Sequence, residues 1–490
     1  MIHAQNNAVR PLLFQGNFGL ERETLRITSD GFLAQSPNPF PCDPHIVRDF
    51  SENQVEINTS VQPSIERALN ELALYDKQVQ TTLAAKEPPE MLWPFSNPPY
   101  LRSENDIPIA QFYGEEAGKT AYREYLSRQY GRYKMTFSGI HFNFSFNDEM
   151  LQRDFELAAT ESASVEDTAE SADVGAVIGA EKAAAEGAGT EDTAESAGTK
   201  DTAEDAGTEA VAEDEEATTN FTAYKDALYL RLARRCVAYG WLMSAITAAS
   251  PIMDSSFVEQ GNMGGDLYFG LGTVRCSELG YWNYFSPVLD YSSPSAYANS
   301  IQQYIDNNYI MYPSELYYPI RLKPQGAYSL EALRAGSISH IELRMFDLNP
   351  TDPLGINKQD VFFAQLLLIW LACTPSVQSF TRANQIQAIQ NFKNAAHYDL
   401  RTVKINFPSG HTCSVNDAAL DVLDAMTTFF HSINAHREVF DCLAFQRGKF
   451  TNAVHERYTH TVRHAYGTEF VKTGLELAKQ RQQEALTREA

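Results

Sequence analysis

Nowhere in this chain do two cysteines stand three positions apart, and the six present (Cys42, Cys236, Cys276, Cys373, Cys413 and Cys442) are scattered along its length. That scatter offers no ligand spacing for zinc and no disulfide framework. Long hydrophobic runs are missing too. The most apolar stretch, "VFFAQLLLIWLAC" from Val361 to Cys373, is too short to span a bilayer and ends near Pro375, so it reads as a buried core helix. No basic segment followed by an apolar one opens the chain; no signal peptide is expected, and a soluble, cytoplasmic protein is. Positive charge is scarce. Lys and Arg number 39 against 63 Asp and Glu, a formal net charge of −24, which argues against non-specific binding to nucleic acid or an anionic membrane. No G-x-x-x-x-G-K-[ST] loop occurs, so any nucleotide is held without one.

The acid is unevenly spread. Residues 160–218 hold 18 Asp and Glu against two Lys, so this tract carries −16 of the charge and leaves the rest mildly acidic. "EDTAESA" occurs at Glu166 and Glu191, with "KDTAEDA" at Lys200. Almost without large apolar side chains, the tract cannot offset the entropy of ordering and is expected to be a disordered insertion, inert or binding a partner. It falls between an alternating strand, "MTFSGIHFNFSF", and a helical pattern from Tyr224 to Ser250 that ends before Pro251. Loop closure entropy grows slowly with length. The expected organisation is therefore one domain over 1–490, interrupted by 160–218.

Elsewhere, Pro63-Ser64 opens a helix with Ile65, Leu69, Leu72, Tyr75 and Val79 on one face. Strand-like runs cover Phe18–Ile27, Val55–Asn58, Ser138–Phe146, Tyr318–Lys323 and Ser337–Arg344, and helices dominate from Lys358 onward. Without regular βαβ alternation, this pattern predicts an α+β fold with a largely antiparallel sheet. The glycine cluster "GNMGGDLYFGLG" at Gly261–Gly272 reads as a turn, and His411 as a loop residue.

Chemistry concentrates on the strands. In "FGLERETLRI", Glu21 and Glu23 share a face with Leu25 and Ile27. A carboxylate pair on a face that turns apolar either meets solvent there or holds a cation, and the strand by itself favours the solvated edge, since isolated acidic pairs are common on surfaces. In "SGIHFNFSF", His141, Asn143 and Ser145 share a face opposite Phe142 and Phe144; in "SHIELRMFDLNP", Glu342 and Arg344 share one. Asp49 and Glu56 are seven apart and converge only if "SEN" (Ser51–Asn53) supplies a turn or bulge. A polar face per strand is ordinary for a half-exposed sheet. A Glu, Asp and His set is less so: divalent metal sites use it, with carboxylates favouring Mg²⁺ or Mn²⁺. An Arg nearby suits the phosphate such metals accompany.

"GLERETLRI", "DFSENQVEI", "YREYL", "SGIHFNFSF", "SPIMDSSF", "RCSELGY", "ELYYPIRLKP" and "IELRMFDLNP", in this order, resemble the proteobacterial-type glutamate–cysteine ligases and the equivalent module of fused glutathione synthetases. The resemblance runs from about Phe18 to Gly355 and weakens in the C-terminal third; with no ATP-grasp module following, it points to the stand-alone ligase. It implies a glutamine-synthetase-like fold, a curved antiparallel sheet forming a funnel with helices behind. It implies ATP-dependent joining of the γ-carboxylate of L-glutamate to the amine of L-cysteine through a γ-glutamyl phosphate, in glutathione biosynthesis. Carried over residue by residue, Glu21, Glu23, Asp49, Glu56, His141 and Glu342 would hold Mg²⁺, and Arg344 would meet the γ-phosphate of ATP. Arg275 and Tyr317 would contact substrate, Phe50, Tyr122 and Tyr281 would form the cysteine side-chain pocket, and Arg123 would be a further anionic contact. The competing readings are a ligase of the same fold using another amine, and a non-catalytic metal- or nucleotide-binding protein.

Overall fold

Alternating side chains build the centre of the molecule. The computed structural model describes residues 1–161, 221–259, 264–336, 338–375, 380–451 and 457–488. Strands β1 (Gly16–Thr28), β2 (Ile46–Arg48), β3 (Gln54–Asn58), β4 (Glu90–Leu92) and β5 (Gly139–Phe146) come early in the chain. A short ribbon, β6 (Met253–Asp254) with β7 (Asp266–Leu267), precedes β8 (Ile320–Pro324) and β9 (Ile338–Asp347). Seven of these strands form one curled sheet of order β2-β3-β1-β5-β9-β8, with β4 on the far end of β1. All its pairings are antiparallel.

One face of the sheet is apolar. Leu20, Ile57, Phe142, Phe144, Phe146, Ile341 and Leu343 are all buried there. They share a core with α1 (Ile65–Ala84), where Ser64 accepts a hydrogen bond from the Arg67 amide at 3.3 Å as N-cap. After α2 (Ala117–Tyr130) and α3 (148–161), the long α4 (Phe221–Thr247) packs across β8 and β9. Following α5 (Pro294–Asp306) and α6 (Leu330–Arg334), α7 (Lys358–Cys373) lies against α4. Its side chains from Phe363 to Ala372 are all buried, the core helix its apolar run predicts. The remaining helices are α8 (Arg382–Asn394), α9 (Val415–Ser432), α10 (Arg437–Thr451), α11 (Tyr458–Tyr466) and α12 (Phe470–Thr487). His411 lies in the turn between β10 (Lys404–Asn406) and β11 (Thr412–Ser414).

The five expected strands are present, the last continuing to Asp347, and the helix expected from Tyr224 starts at Phe221. Several elements had no sequence forecast, among them β2, β4 and α3. β2 and β4 have three residues each, too few to show a period. α3 starts where Asn147 Oδ1 accepts the Met150 amide at 3.0 Å. It takes in Thr160 and Glu161, so the low-complexity tract starts inside a helix and not directly after the His141 strand. The rest of the expected insertion, 162–218, lies outside the described residues, as does part of the glycine cluster.

Candidate active site

Register sets the site. On the inner face, β3 puts Glu56 opposite Glu23, β1 puts Glu21 opposite His141, β5 puts Asn143 opposite Glu342, and β9 puts Glu342 opposite Arg321. Side chains paired across antiparallel strands share a face, so one line of polar groups crosses five strands. Asp49 joins them through the β2–β3 hairpin. Val47 pairs with Glu56, and the turn closes with the Gln54 amide on the Ser51 carbonyl (3.0 Å) and the Asp49 amide on the Gln54 carbonyl (3.3 Å). Two steps beyond Val47, Asp49 faces the same way as Glu56; the "SEN" stretch makes the turn.

A bulge completes the line. Ile140 pairs with Phe346 but Phe142 with Leu343, so Arg344 and Met345 together face the single residue His141. The bulge reverses the alternation of β9 and turns Asp347, opposite Gly139, to the same side as Glu342. Asp347 accepts hydrogen bonds from Ser250 Oγ (2.7 Å), Thr273 Oγ1 (2.9 Å) and the Ala249 amide (2.9 Å), anchoring the segment that carries Arg275. Arg275 in turn donates to the carbonyls of Arg344 (3.0 Å) and Phe346 (3.3 Å). Gly139 lets it do so: a Cβ there would lie 2.4 Å from the guanidinium carbon.

All thirteen residues singled out above line one cavity of about 290 Å³. His141 Nδ1 lies 3.0 Å from Glu21 and 3.3 Å from Glu342, and its Nε2 3.7 Å from Glu23. Burial and Arg344 push this imidazole down, yet its hydrogen bonds to Glu21 and Glu342 win and leave it at about 9. Glu342 is fully buried and Arg344 Nη1 sits 2.9 Å from it. Although burial raises Glu342, the cations Arg344, Lys323 and Arg321 hold it well below the usual carboxylate range. Glu56 has the opposite fate: burial, then Asp49, Glu21 and Glu23, push it to about 8. Acid is thus massed at the β1–β3 side of the cavity and cations at the β8–β9 side.

The donor set fits a divalent cation. Atoms of Glu21, His141 and Glu342 lie within 4.8 Å of one another. Glu342 Oε2, buried, accepts no hydrogen bond. Glu23, Asp49 and Glu56 extend the carboxylate set, and Glu56 is held up by burial and then by its acidic neighbours, a condition a cation relieves.

The aromatic corner is separate. Phe50, Tyr122, Tyr281 and Tyr317 line the same cavity, the Tyr281 and Tyr317 ring centres lie 3.8 Å apart, and burial pushes the Tyr122 hydroxyl to about 12 and Tyr281 and Tyr317 well above their usual range. These four aromatic side chains carry no charge at neutral pH. Arg123 lines it as well, but its donors go to main-chain carbonyls: Asp49 through Nε, Lys119 at 3.0 Å and Arg48 at 3.4 Å.

Sequence reasoning missed Arg321 and Lys323, 3.7 and 3.4 Å from Glu342 Oε2. They alternate correctly in "PIRLKP", and that signal pointed to them. Asn143, which donates to Glu21 at 2.9 Å, was noted only as a polar neighbour of His141.

Comparison with known sequences decides the family. The profile described as glutamate-cysteine ligase matches residues 2–176, 205–314 and 286–395. The chain belongs to the glutamate–cysteine ligase family. Among the relatives of this glutamate–cysteine ligase family member is the glutathione biosynthesis bifunctional protein GshAB of Listeria welshimeri, 31% identical over 451 residues, or 90% of this chain and 50% of the relative. The chain spans about half the length of the curated relatives it matches. Two crystal structures share its fold. The bifunctional glutathione synthetase of Pasteurella multocida has a TM-score of 0.74 and 23% identity, over 98% of this chain and 54% of the other. The glutamate–cysteine ligase of Francisella tularensis, in complex with AMP, has a TM-score of 0.75 and 21% identity, over 97% and 90%. Among the described residues no helix is long and apolar enough to cross a membrane.

Proposed function

We propose that the protein joins the γ-carboxylate of L-glutamate to the amine of L-cysteine at the expense of ATP, through a γ-glutamyl phosphate. The observation that carries this reading is the division of one cavity into an acidic side, a cationic side and an aromatic corner. Glu21, Glu23, Asp49, Glu56, His141 and Glu342 would hold Mg²⁺, which Mn²⁺ can replace. When bound, the ion supplies charge neutralisation for phosphoryl transfer. Arg344, anchored by Glu342, meets the γ-phosphate, and Arg321 and Lys323 stand on the same wall to balance its charge as transfer proceeds. Arg275 holds the bulged strand that presents Arg344 and contacts substrate with Tyr317. Phe50, Tyr122 and Tyr281 receive the cysteine side chain, whose polarizable sulfur packs well on aromatic rings. Arg123 fixes the hairpin carrying Asp49 and is the further anionic contact. The cavity walls keep water from the acyl phosphate. A cytoplasmic setting belongs to the same proposal, because ATP and reduced cysteine are both supplied there.

The test is a competition. Purified protein receives glutamate, ATP and Mg²⁺ with cysteine, 2-aminobutyrate, putrescine and ammonia together, and the products are read by mass spectrometry. γ-Glutamylcysteine should dominate, with 2-aminobutyrate leaking through, since one methyl-sized difference is worth only ~1–3 kcal/mol in an apolar pocket. A dominant γ-glutamylputrescine or glutamine product would move the chain to another acceptor within the same chemistry. No ADP release with any amine would favour a binding protein instead.

A further inference from the structure

Glu315 lies outside the cavity, is fully buried, and pairs with no cation among the described residues. An ionised carboxylate accepts hydrogen bonds and donates none, and burying one is costly unless those bonds are made. Here three donors meet it: Tyr130 Oη (2.9 Å) and Tyr125 Oη (3.2 Å) on Oε1, and the Met311 amide (2.6 Å) on Oε2. Around it runs a closed set of bonds. Asn283 Nδ2 donates to Tyr130 Oη (3.1 Å) and to the Glu315 carbonyl (2.9 Å), while Asn283 Oδ1 accepts the Tyr317 amide (2.8 Å). The flanking residues reach the cavity. Ser314 Oγ donates to Tyr122 Oη at 3.3 Å, and Arg321 donates to the carbonyls of Ser314 (3.1 Å) and Leu316 (3.4 Å).

We propose that Glu315 is a positioning residue for the acceptor-amine pocket: by fixing the Pro313–Glu315 turn against α2, it sets where Tyr317 and Tyr122 stand and so how large an acceptor side chain fits. This rests on the functional reading above. Glu315 touches no substrate and acts through the two tyrosines.

The experiment is steady-state kinetics of Glu315→Gln and Tyr130→Phe, varying cysteine, 2-aminobutyrate, glutamate and ATP in turn, with thermal melting alongside. In Glu315→Gln an amide N–H replaces one acceptor and opposes either the Met311 amide or the tyrosine hydroxyls. The KM for cysteine should rise about tenfold, the scale of one buried hydrogen bond. The KM for glutamate and for ATP, and kcat, should stay within about threefold, the pattern of lost acceptor binding alone. The preference for cysteine over 2-aminobutyrate should narrow. Tyr130→Phe should shift the same quantities in the same direction by less, and it carries the test if Glu315→Gln does not accumulate as folded protein. An unchanged cysteine KM, or an equal change in every constant together with a lower melting point, overturns the proposal in favour of a purely structural carboxylate. Wild-type protein that turns over no acceptor overturns the functional reading with it, whereas wild-type turnover with unmoved variants overturns only this one.

Discussion

At the scale of the residue, Gly139 is constrained by a neighbour more than by its own backbone. An added methyl would fall within 2.5 Å of the Arg275 guanidinium, a side chain bonded to the Arg344 and Phe346 carbonyls across the β9 bulge. Gly139→Ala is therefore expected to displace Arg275, lowering kcat/KM about a hundredfold, the cost of an ångström-scale misplacement. Stability should fall by only about 1–3 kcal/mol, as for local overpacking. Kinetics with urea denaturation checks both, and near-normal turnover would free Arg275 from its role. Glu342→Gln tests the neighbouring strand β9, two residues before its bulge. Activity should fall at least ~100-fold, because metal-borne charge stabilisation is worth several kcal/mol, and Mn²⁺ binding followed by paramagnetic resonance should weaken in parallel. Full Mn²⁺ affinity in that variant would remove Glu342 from the metal set. These residues were legible because alternation alone groups Glu21 with Glu23 and Glu342 with Arg344. That Asp347 joins the same side was not, since one extra residue in β9 reverses the count and nothing in "IELRMFD" announces it.

At the scale of the element, β1 shows what a period-two reading misses. Its inner face runs from Glu21 and Glu23 to Leu25 and Ile27, which enter a second core with Trp93, Phe95 and Phe470. Its outer face starts apolar with Phe18 and Leu20 and then buries two arginines. Arg22 meets Asp76 at 2.6 Å; Arg26, with no exposed surface, meets Glu90 at 2.6 Å, Ser36 Oγ at 3.0 Å and the carbonyls of Ser36 (2.7 Å) and Glu52 (2.8 Å). The partners sit on α1 and β4, distant in sequence, so a local pattern could not identify these cations as core. Removing one member of such a pair strands the other charge. Glu90→Ala should therefore destabilise by about 3–5 kcal/mol, read as a shift in urea midpoint. The double variant Arg26→Met, Glu90→Leu should recover much of that loss. If the single variant melts like wild type, the pair does not hold β1 to β4.

At the scale of the whole molecule, a long acidic tract stands in the sequence between two elements that pack together. The Phe155 ring of α3 lies 5.9 Å from Phe221 and 5.5 Å from Tyr224 of α4, and Tyr224 hydrogen-bonds Asp154. Glu161 is six residues past Phe155, about 9 Å along a helix, so a flexible linker of roughly ten Gly and Ser residues reaches from one element to the other. Loop closure entropy changes by only about 0.6 kcal/mol per doubling of length, so shortening this connection changes folding free energy little. The tract carries −16 of the net −24, yet charges separated from the cavity by more than a Debye length of about 8 Å act weakly at physiological salt. Replacing residues 162–218 by such a linker should therefore leave the circular dichroism melt within a few degrees of wild type. It should also leave kcat and the KM for each substrate within about twofold, since no cavity-lining residue is removed. A variant that folds but does not turn over would instead make the tract part of the catalytic unit.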